Sequence, residues 1–301
     1  MNDPFSFEKT ILVTGSGGQL GMEIWKLSEQ YPSYKFLFTT KEGLPIDNFD
    51  LVKNFFEQQQ IHHCINCAAY TAVDKAESEK EKAFLINADA AGNLAAICKA
   101  HQTQLIHIST DYVFDGTSSI PYKEDDRVSP INIYGASKLR GEELVLNNNS
   151  SSVIIRTSWV YSSFGNNFVK TMLRLLKEKE SLAAGRHDIN VVNDQYGSPT
   201  YSADLAATIL TIVERENSDH SATGVFNYCN EGVITWYEFA KAIKKIIKSK
   251  CSVNPIPTSE YQTAARRPQY SVLNTAKIKQ TLDITIPNWK DSLQTCLSYI
   301  T

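Results

Sequence analysis

The first half of this 301-residue chain alternates short apolar runs with longer helical patterns. Runs typical of β-strands lie at 11–14, 35–39, 63–68, 104–110 and 153–157. Helical patterns separate them, at 19–29, 49–59, 77–100 and 134–146. Strands and helices that alternate at these lengths form βαβ units, and right-handed crossovers then place helices on both faces of one sheet. The first half therefore predicts a parallel sheet covered on both sides.

A glycine-rich segment follows the first predicted strand and leads directly into the first predicted helix. Its residues are Gly15, Ser16, Gly17, Gly18, Gln19, Leu20 and Gly21. Glycines in such a turn let the backbone approach a pyrophosphate, and the helix N-terminus offers N–H groups to the phosphates. The spacing is G-x-x-G-x-x-G rather than the usual G-x-G-x-x-G, but its place after the first strand indicates a dinucleotide site.

The second half of the chain is less regular. Helical patterns occur at 165–178, 201–213, 235–248 and 286–299, a short strand at 189–192, and a loop around Pro255 and Pro257. We predict an α/β fold in which a Rossmann-type doubly wound parallel sheet carries a smaller C-terminal α/β substrate lobe. Residues 1–160 would form the nucleotide-binding domain, joined by later segments around 189–230, and residues 161–301 would mainly form the substrate lobe.

Charge and composition argue against several classes of function. The net charge is −3, and lysines and arginines are spread along the chain without the basic footprint of a nucleic-acid-binding surface. No apolar run approaches the ~18 residues of a membrane span, and residues 1–10 lack the pattern of a signal peptide, so we expect a cytoplasmic protein. Cys64 and Cys67 would face opposite sides of a strand, which predicts free thiols rather than a disulfide or a metal site.

The end of the second predicted strand indicates the preferred nicotinamide cofactor. NAD-binding folds usually place an acidic residue there to bind the ribose hydroxyls. Here Phe38 is followed by Thr39, Thr40 and Lys41, and hydroxyls with a lysine suit a 2′-phosphate better. We expect NADPH, with NADH as an alternative, and we expect Asp47 to contact the adenine edge.

The spacing Tyr-x-x-x-Lys, which can form an acid–base pair, occurs three times in the chain. The pairs are Tyr31 with Lys35, Tyr134 with Lys138, and Tyr237 with Lys241. Tyr31 precedes a proline, which disfavours a helix, and Tyr237 lies far along the chain from the glycine-rich turn. Tyr134 begins a predicted helix, where a spacing of four places Lys138 on the same face.

The Tyr134 pair and the end of the fourth predicted strand together predict a catalytic site. A lysine ammonium beside the phenol would lower the pKa of Tyr134 from ~10 toward neutrality and make it a usable proton donor. Thr110 ends that strand, and ligands of such sheets bind beyond the carboxyl ends of the strands. We therefore predict Thr110, Tyr134 and Lys138 as the catalytic residues, with Thr110 holding the reacting carbonyl oxygen.

Nine motifs together resemble the extended short-chain dehydrogenase/reductases over almost the whole chain. They are TGSGGQLG at 14–21, NCAAYTAVDKAE at 66–77, INADAAGNLA at 86–95, STDYVFDG at 109–116, YGASKLRGE at 134–142, RTSWVY at 156–161, GNNFVKTMLRL at 165–175, NDQYGSPT at 193–200 and ARRPQYSVLNT at 265–275. The resemblance implies reduction of the C4 keto group of dTDP-4-dehydro-6-deoxy-L-mannose by NADPH, giving dTDP-L-rhamnose. Tyr134 would protonate the developing alkoxide, and Lys138 would hold the nicotinamide ribose.

The resemblance and the motifs above also imply the residues around each ligand. The predicted cofactor contacts are Gly15, Gly18, Gln19, Leu20, Gly21, Thr39, Asp47, Ala68, Ala69, Tyr70, Asn87, Tyr134 and Lys138. The predicted substrate contacts are Asp111, Val113, Trp159, Asn167, Arg266 and Arg267. The two arginines are assigned to the diphosphate, because a guanidinium is the best partner for phosphate oxygens.

The chain departs from the family pattern at two places. Some members resemble magnesium-bridged dimers with acidic residues from three segments, but only Glu23 matches here, since Ala203 and Tyr299 occupy the other positions. We therefore expect no bound metal, and either a monomer or a homodimer. The segment 183–189 is longer than usual before the motif at 193–200.

Two other functions stay open from the sequence. The first is a reductase or epimerase that acts on another nucleotide sugar, although the segment 159–195 favours the reaction given above. The second is a non-catalytic regulatory subunit, because that of methionine adenosyltransferase resembles this family. The presence of Thr110, Tyr134 and Lys138 argues against a purely regulatory role.

Overall fold

The computed structural model describes residues 9–180, 188–216, 218 and 222–300. Our predictions for residues 1–8, and for 183–187 in the longer segment, lie outside these ranges. The strands are β1 Lys9–Thr14, β2 Tyr34–Thr39, β3 His63–Asn66, β4 Gln104–Thr110, β5 Val153–Thr157, β6 Val160–Tyr161, β7 Asp188–Val192, β8 Tyr196–Gly197, β9 Thr200–Tyr201, β10 Gly224–Tyr228, β11 Ile234–Thr235 and β12 Ser252–Ile256. The α-helices are α1 Gln19–Ser28, α2 Phe49–Gln58, α3 Val73–Ala76, α4 Lys80–Phe84, α5 Ala90–Ala100, α6 Ile133–Asn148, α7 Phe168–Glu180, α8 Ser202–Glu214, α9 Trp236–Ile246, α10 Ala276–Leu282 and α11 Trp289–Ser298.

Six parallel strands form the central sheet in the order β2-β1-β3-β4-β5-β10. This confirms the predicted doubly wound parallel sheet. The chain passes from β1 to β2 on one side and then to β3 on the other side of β1, so the strand order reverses between β1 and β3. Ligands of open α/β sheets bind beyond the carboxyl ends of the strands at such a reversal. The ends of β1 and β3, at Thr14 and Asn66, therefore mark the expected site.

Successive side chains of β1 pack into cores on opposite faces of the sheet, as the alternation of a strand requires. Ile11 and Val13 are fully buried in the core formed with α1 and α8, whereas Leu12 is buried in the core formed with α2 and α5. Cys64 belongs to the second core and Cys67 packs against the first. Neither thiol is in a disulfide, and the two pack on opposite faces of the sheet as predicted.

The region 77–100 is not the single helix that we predicted. Helices α4 and α5 are joined by a π-helical turn, Leu85–Asp89. In the preceding segment, the strand predicted at 63–68 is also shorter and ends at Asn66. π-turns are rare and occur mostly inside helices at functional positions. This one carries Asn87, which points inward and hydrogen-bonds the backbone of Tyr70. A periodicity pattern cannot reveal one extra residue in a helical turn, because the apolar positions on both sides still fit a helix.

Two further strands differ from the sequence prediction. β10, which we did not predict, completes one edge of the central sheet beside β5. β12 contains Pro255, which we assigned to a loop, and it pairs with β7 in a sheet of only two strands. Proline is tolerated at such an edge, because no neighbouring strand needs its missing N–H.

A third core lies in the C-terminal part, under α7, α9 and α11. Phe239 and Leu293 are fully buried at its centre. Helix α9 begins with a capping box, in which Thr235 and Glu238 each bond the other's backbone N–H and so define where the helix starts. Within the described ranges, every helix is too short or too polar to cross a bilayer.

Candidate active site

A cleft of about 1020 Å³ opens between the carboxyl ends of the sheet strands and the C-terminal part of the chain. It is long enough to be lined at one end by the glycine-rich turn and at the other by α9. Of the residues predicted from the sequence, those that line it are Gly15, Gly18, Gln19, Leu20, Gly21, Asp47, Ala68, Ala69, Thr110, Asp111, Tyr134, Lys138 and Trp159. The sheet and the later helices thus bring most of the predicted residues to one space.

The backbone of the glycine-rich turn leaves room for a phosphate to come close to it. Gly15 has a φ of +63°, and a Cβ at this residue would lie 2.6 Å from the backbone nitrogen of Ala68, so a side chain cannot be accommodated. Gly18 caps α1 without a side-chain hydrogen bond, and the first turn of the helix contains no acidic residue. The N–H groups and the positive dipole end of α1 therefore face the cleft and suit the pyrophosphate of a dinucleotide.

Three of the predicted residues, Tyr70, Asn87 and Asn167, lie just outside the cleft lining and support it. Asn87 holds the loop after β3, since its amide bonds both the N–H and the carbonyl of Tyr70 at 2.8 and 3.0 Å. Asn167 donates a hydrogen bond of 2.9 Å to the side-chain oxygen of Gln19. Their contacts position residues that line the cleft.

The remaining four predicted residues lie away from the cleft lining. The Thr39 hydroxyl donates to the Val13 carbonyl oxygen at 3.4 Å, and Val113 is fully buried beneath the turn after β4. Arg267 forms two hydrogen bonds with the carboxylate of Asp74, at 2.9 and 2.7 Å. Arg266 is exposed.

Helix α6 positions the proposed acid and its lysine. The Asn132 side chain caps the helix by accepting from the N–H of Gly135 at 2.7 Å. Gly141 lies against the π-turn, where a Cβ would collide with the carbonyl oxygen of Asn87. The absence of a side chain there lets α6 pack closely against the π-turn, and the same helix carries Tyr134 and Lys138.

Burial favours the protonated form of the Tyr134 phenol. Burial raises the pKa of Tyr134 to about 12, and a hydrogen bond with Thr110 only partly opposes that shift. Our expectation that Lys138 lowers this pKa is wrong for the molecule without its ligands. The Lys138 amine instead donates to the Ile108 carbonyl oxygen at 2.6 Å and lies 3.3 Å from Nε2 of His107. A phenol that keeps its proton is suited to donating it to a developing alkoxide.

Asp111 is a buried carboxyl group at the cleft wall. Its Oδ1 accepts from the Thr110 hydroxyl at 3.1 Å, while its Oδ2 has no hydrogen-bond partner among the described residues. Burial raises the pKa of Asp111 to about 7, against hydrogen bonds that lower it. A buried carboxyl oxygen that lacks a partner is available to a hydroxyl of a bound ligand.

The raised pKa of Asp111 predicts a specific dependence of stability on pH. The folded chain retains a proton that the unfolded chain has lost, so Asp111 makes the protein less stable as the pH rises from about 4 to 7. An Asp111→Asn variant should gain stability relative to wild type over this interval, by at most about 1.4 kcal/mol per pH unit, and the difference should level off above it. Urea unfolding at several pH values measures this, with the exposed Asp125→Asn as control. Parallel curves for wild type and Asp111→Asn would contradict the prediction.

Two stacked tryptophans, Trp159 and Trp236, also line the cleft. The rings of Trp159 and Trp236 are 3.6 Å apart at 11°. Trp159 has a φ of +47°, which is uncommon for a bulky residue and is maintained by its surroundings. A Cβ at Gly197 would overlap the indole of Trp159, so this glycine leaves room for the ring. The pair offers a flat apolar face to a ligand in the cleft.

Sequence reasoning missed several residues that the cleft includes. Trp236 begins α9, and nothing in the sequence places it beside Trp159, since 77 positions separate them and only the packing of the C-terminal part brings them together. Lys41 was not missed, since the sequence analysis assigned it to a 2′-phosphate, and it also lines the cleft. His107 was interpreted only as part of a strand; it does not line the cleft but lies beneath Lys138, with its Nε2 3.3 Å from the lysine amine.

Comparisons with known proteins agree with this geometry. A family model described as the RmlD substrate binding domain matches residues 9–301. A dTDP-4-dehydrorhamnose reductase of Aggregatibacter actinomycetemcomitans is 39% identical over 296 residues, which cover 96% of this chain and 98% of that protein. The dTDP-4-dehydrorhamnose reductase of Bacillus anthracis in complex with NADP has 38% identity and a TM-score of 0.90 over 97% of this chain and 99% of that one. The corresponding Clostridium acetobutylicum structure has 39% identity and a TM-score of 0.89 over 96% and 98%. The chain therefore belongs to the family of dTDP-4-dehydrorhamnose reductases.

Proposed function

We propose that this chain reduces the C4 keto group of dTDP-4-dehydro-6-deoxy-L-mannose with NADPH and so forms dTDP-L-rhamnose. The observation that carries the proposal is the convergence of Thr110, Tyr134 and Lys138 with the glycine-rich turn in one cleft. A dinucleotide site and a proton donor at the same strand ends are the two requirements of a carbonyl reductase. The family relationship supplies the identity of the sugar.

The cofactor is proposed to lie along the ends of β1 and β2. The turn from Gly15 would receive the pyrophosphate, and Asp47 would face the adenine end. Thr40 and Lys41 also line the cleft, and a hydroxyl with an ammonium group suits a 2′-phosphate, which favours NADPH over NADH. NADPH, when bound, supplies the hydride that is added to the sugar carbonyl carbon.

The chain's own contribution to the reaction is to hold the carbonyl oxygen and to supply a proton. The Thr110 and Tyr134 hydroxyls lie together at the end of β4. A carbonyl oxygen placed between them accepts from Tyr134, and it accepts from Thr110 when the Thr110 hydroxyl turns toward it from Oδ1 of Asp111. Tyr134 then transfers its proton to that oxygen as negative charge develops on it. Lys138, buried behind Tyr134, is positioned to hold the nicotinamide ribose.

The sugar and its nucleotide are proposed to bind in the part of the cleft between the end of β4 and the C-terminal part of the chain. Asp111 and the stacked Trp159 would contact the sugar. Val113 and Asn167 would act by supporting the wall, since their contacts are with the protein. Arg266 and Arg267 stay proposed for the diphosphate, at the rim near Asn132, whose amide binds the Arg266 carbonyl.

A cytoplasmic location belongs to the same proposal. All six cysteines are free, including the four fully buried ones, which fits a compartment that keeps thiols reduced. For the assembly, we keep the proposal of a monomer or a homodimer that does not depend on a bridging metal, since Ala203 and Tyr299 cannot supply carboxylates.

The activity is tested by following loss of NADPH absorbance with the purified chain and dTDP-4-dehydro-6-deoxy-L-mannose. We expect one NADPH to be oxidised per sugar, with dTDP-L-rhamnose as the product identified by NMR, and a lower kcat/KM with NADH. UDP- and GDP-linked 4-keto-6-deoxy sugars serve as matched alternative substrates. Faster reduction of one of these would mean that the substrate is wrong but the reductase assignment is right. NADPH binding without turnover of any keto-sugar would instead favour the regulatory-subunit function.

A further inference from the structure

A row of buried polar side chains crosses three strands and ends at the catalytic lysine. The Thr14 hydroxyl donates to Oδ1 of Asn66 at 2.7 Å, and Nδ2 of Asn66 lies 3.0 Å from Nδ1 of His107. Nε2 of His107 lies 3.3 Å from the Lys138 amine. All four residues are at most 2% exposed. Polar groups at this depth need partners, so the direction of each hydrogen bond in the row is constrained.

The backbone of the β3 loop sets that direction. The N–H of Ala68 donates to Oδ1 of Asn66 at 3.2 Å, and a backbone N–H can only donate. The Asn66 oxygen therefore faces Ala68, and its NH₂ group faces His107. Nδ1 of His107 must accept, so the neutral ring carries its proton on Nε2, where it points at Lys138.

An Nε2–H group is an unfavourable neighbour for an ammonium ion and a favourable one for a neutral amine. Both groups are donors when Lys138 is charged, whereas a neutral amine offers a lone pair and can still donate to the Ile108 carbonyl. Burial acts in the same direction and lowers the pKa of Lys138 to about 8. The pKa of His107 is depressed by burial and by Lys138, so the ring stays neutral.

The other ionisable groups around Lys138 do not lower its pKa. Glu142, one turn along α6, raises the pKa of Lys138, but its carboxylate is already paired with Arg156 of β5 at 2.7 Å. Tyr134 and Asp111 line the cleft side. The π-turn packed on α6 presents only neutral groups toward this point, through the bond of Asn87 to Ser137.

We propose that Asn66 and His107 are positioning residues that lock one histidine tautomer against Lys138 and thereby set the upper limit of the pH range in which the enzyme works. This rests on the proposed reductase function, since Lys138 must act as a cation beside the cofactor. Lys138 loses its proton to solvent through the open cleft as the pH rises, and the Nε2–H of His107 then donates to the resulting amine.

The tautomer is tested directly, without any assay of activity. Long-range ¹H–¹⁵N spectra of ¹⁵N-histidine-labelled protein distinguish the two neutral tautomers, and the missing signals of a His107→Leu variant identify this ring among the six histidines. We expect Nε2–H at neutral pH. A ring protonated on Nδ1, or on both nitrogens, would overturn the proposal even if the chain proves not to be a reductase.

The effect on Lys138 is tested by the pH profile of kcat/KM. Asn66→Asp keeps the shape of the side chain but accepts from Nδ1 of His107, which leaves Nε2 to accept from the ammonium. The alkaline limb should move upward by at least about one pH unit. Thr14→Val, which leaves the Ala68 bond to set the direction of Asn66, should leave this limb in place.

The double variant Asn66→Asp/His107→Leu separates the tautomer effect from a plain charge effect. If the new carboxylate acts through the ring, its shift of the alkaline limb disappears when the ring is removed. A shift of the same size in the His107→Leu background would mean that charge alone is responsible and would overturn the proposal. Circular dichroism of each variant establishes that it is folded before the profiles are compared.

Discussion

Replacing Tyr134 with phenylalanine is expected to lower kcat by about 10²–10⁴-fold, the range for loss of a general acid. Burial raises the pKa of Tyr134 to about 12, so the phenol keeps its proton at neutral pH. The phenyl ring of the variant retains the edge contact that Tyr134 makes with Tyr112, whose ring centroid is 5.8 Å away. The loss should therefore appear in the chemical step, while the affinity for NADPH, measured by its fluorescence, changes little.

The chain contains a matched control for this prediction. Tyr237 has the same spacing to a lysine as Tyr134, and the Lys241 amine lies 5.1 Å from its ring centroid. Tyr237 lies on α9 and is absent from the cleft lining, so Tyr237→Phe should retain wild-type kcat. If Tyr134→Phe kept more than about a tenth of the wild-type kcat, Tyr134 would not be the general acid.

Replacing Arg156 with methionine is expected to lower the free energy of unfolding by about 3–5 kcal/mol. The Arg156 guanidinium bonds both carboxylate oxygens of Glu142, and the Ser109 hydroxyl donates to the same carboxylate at 2.5 Å. Both charged side chains are at most 5% exposed. Methionine fills much of the space but leaves the Glu142 charge buried without its partner, which is the costly state. Because the pair joins β5 to α6, the helix that carries Tyr134 should also become less ordered.

Two further variants show whether the lost stability comes from the unpaired charge. Arg174→Met removes the same charge from an exposed pair on α7, in which both side chains are more than half exposed, and should change the free energy by less than about 1 kcal/mol. The double variant Arg156→Met/Glu142→Met removes both charges and should recover most of the loss. Chemical denaturation measures all three. A double variant no more stable than Arg156→Met would show that shape, rather than charge, is what the pair provides.

Local patterns were sufficient to predict the sheet and one end of the cleft. The five strands of the first half were predicted with small errors at their ends, because each is a short apolar run between helical patterns. The glycine-rich turn was predicted from its place between the first strand and the first helix, and the structure shows that Gly15 has no room for a side chain beside Ala68. Tyr134 and Lys138 were selected from three candidate pairs by their place after a strand and loop, and they are the pair that lines the cleft.

Protonation states could not be predicted in the same way. We expected Lys138 to lower the pKa of Tyr134, because the two residues share a helix face. The lysine amine turns instead to Ile108 and His107, and burial dominates the pKa of the phenol. Spacing along a helix gives proximity, but the direction of a side chain and the water that surrounds it depend on neighbours from other strands.

The sequence by itself determined the order of strands and helices in the first half, the glycine-rich turn and the choice of Tyr134 and Lys138 among three candidate pairs, since each depends on residues close together in the chain. Only the tertiary structure decided that Trp236 stacks on Trp159, that Asp74 forms an ion pair with Arg267, and that Asn66 and His107 lie beneath Lys138. The physical reason is that these contacts join residues far apart in sequence. Their distances and burial follow from how the sheet and the helices pack, which no local pattern contains.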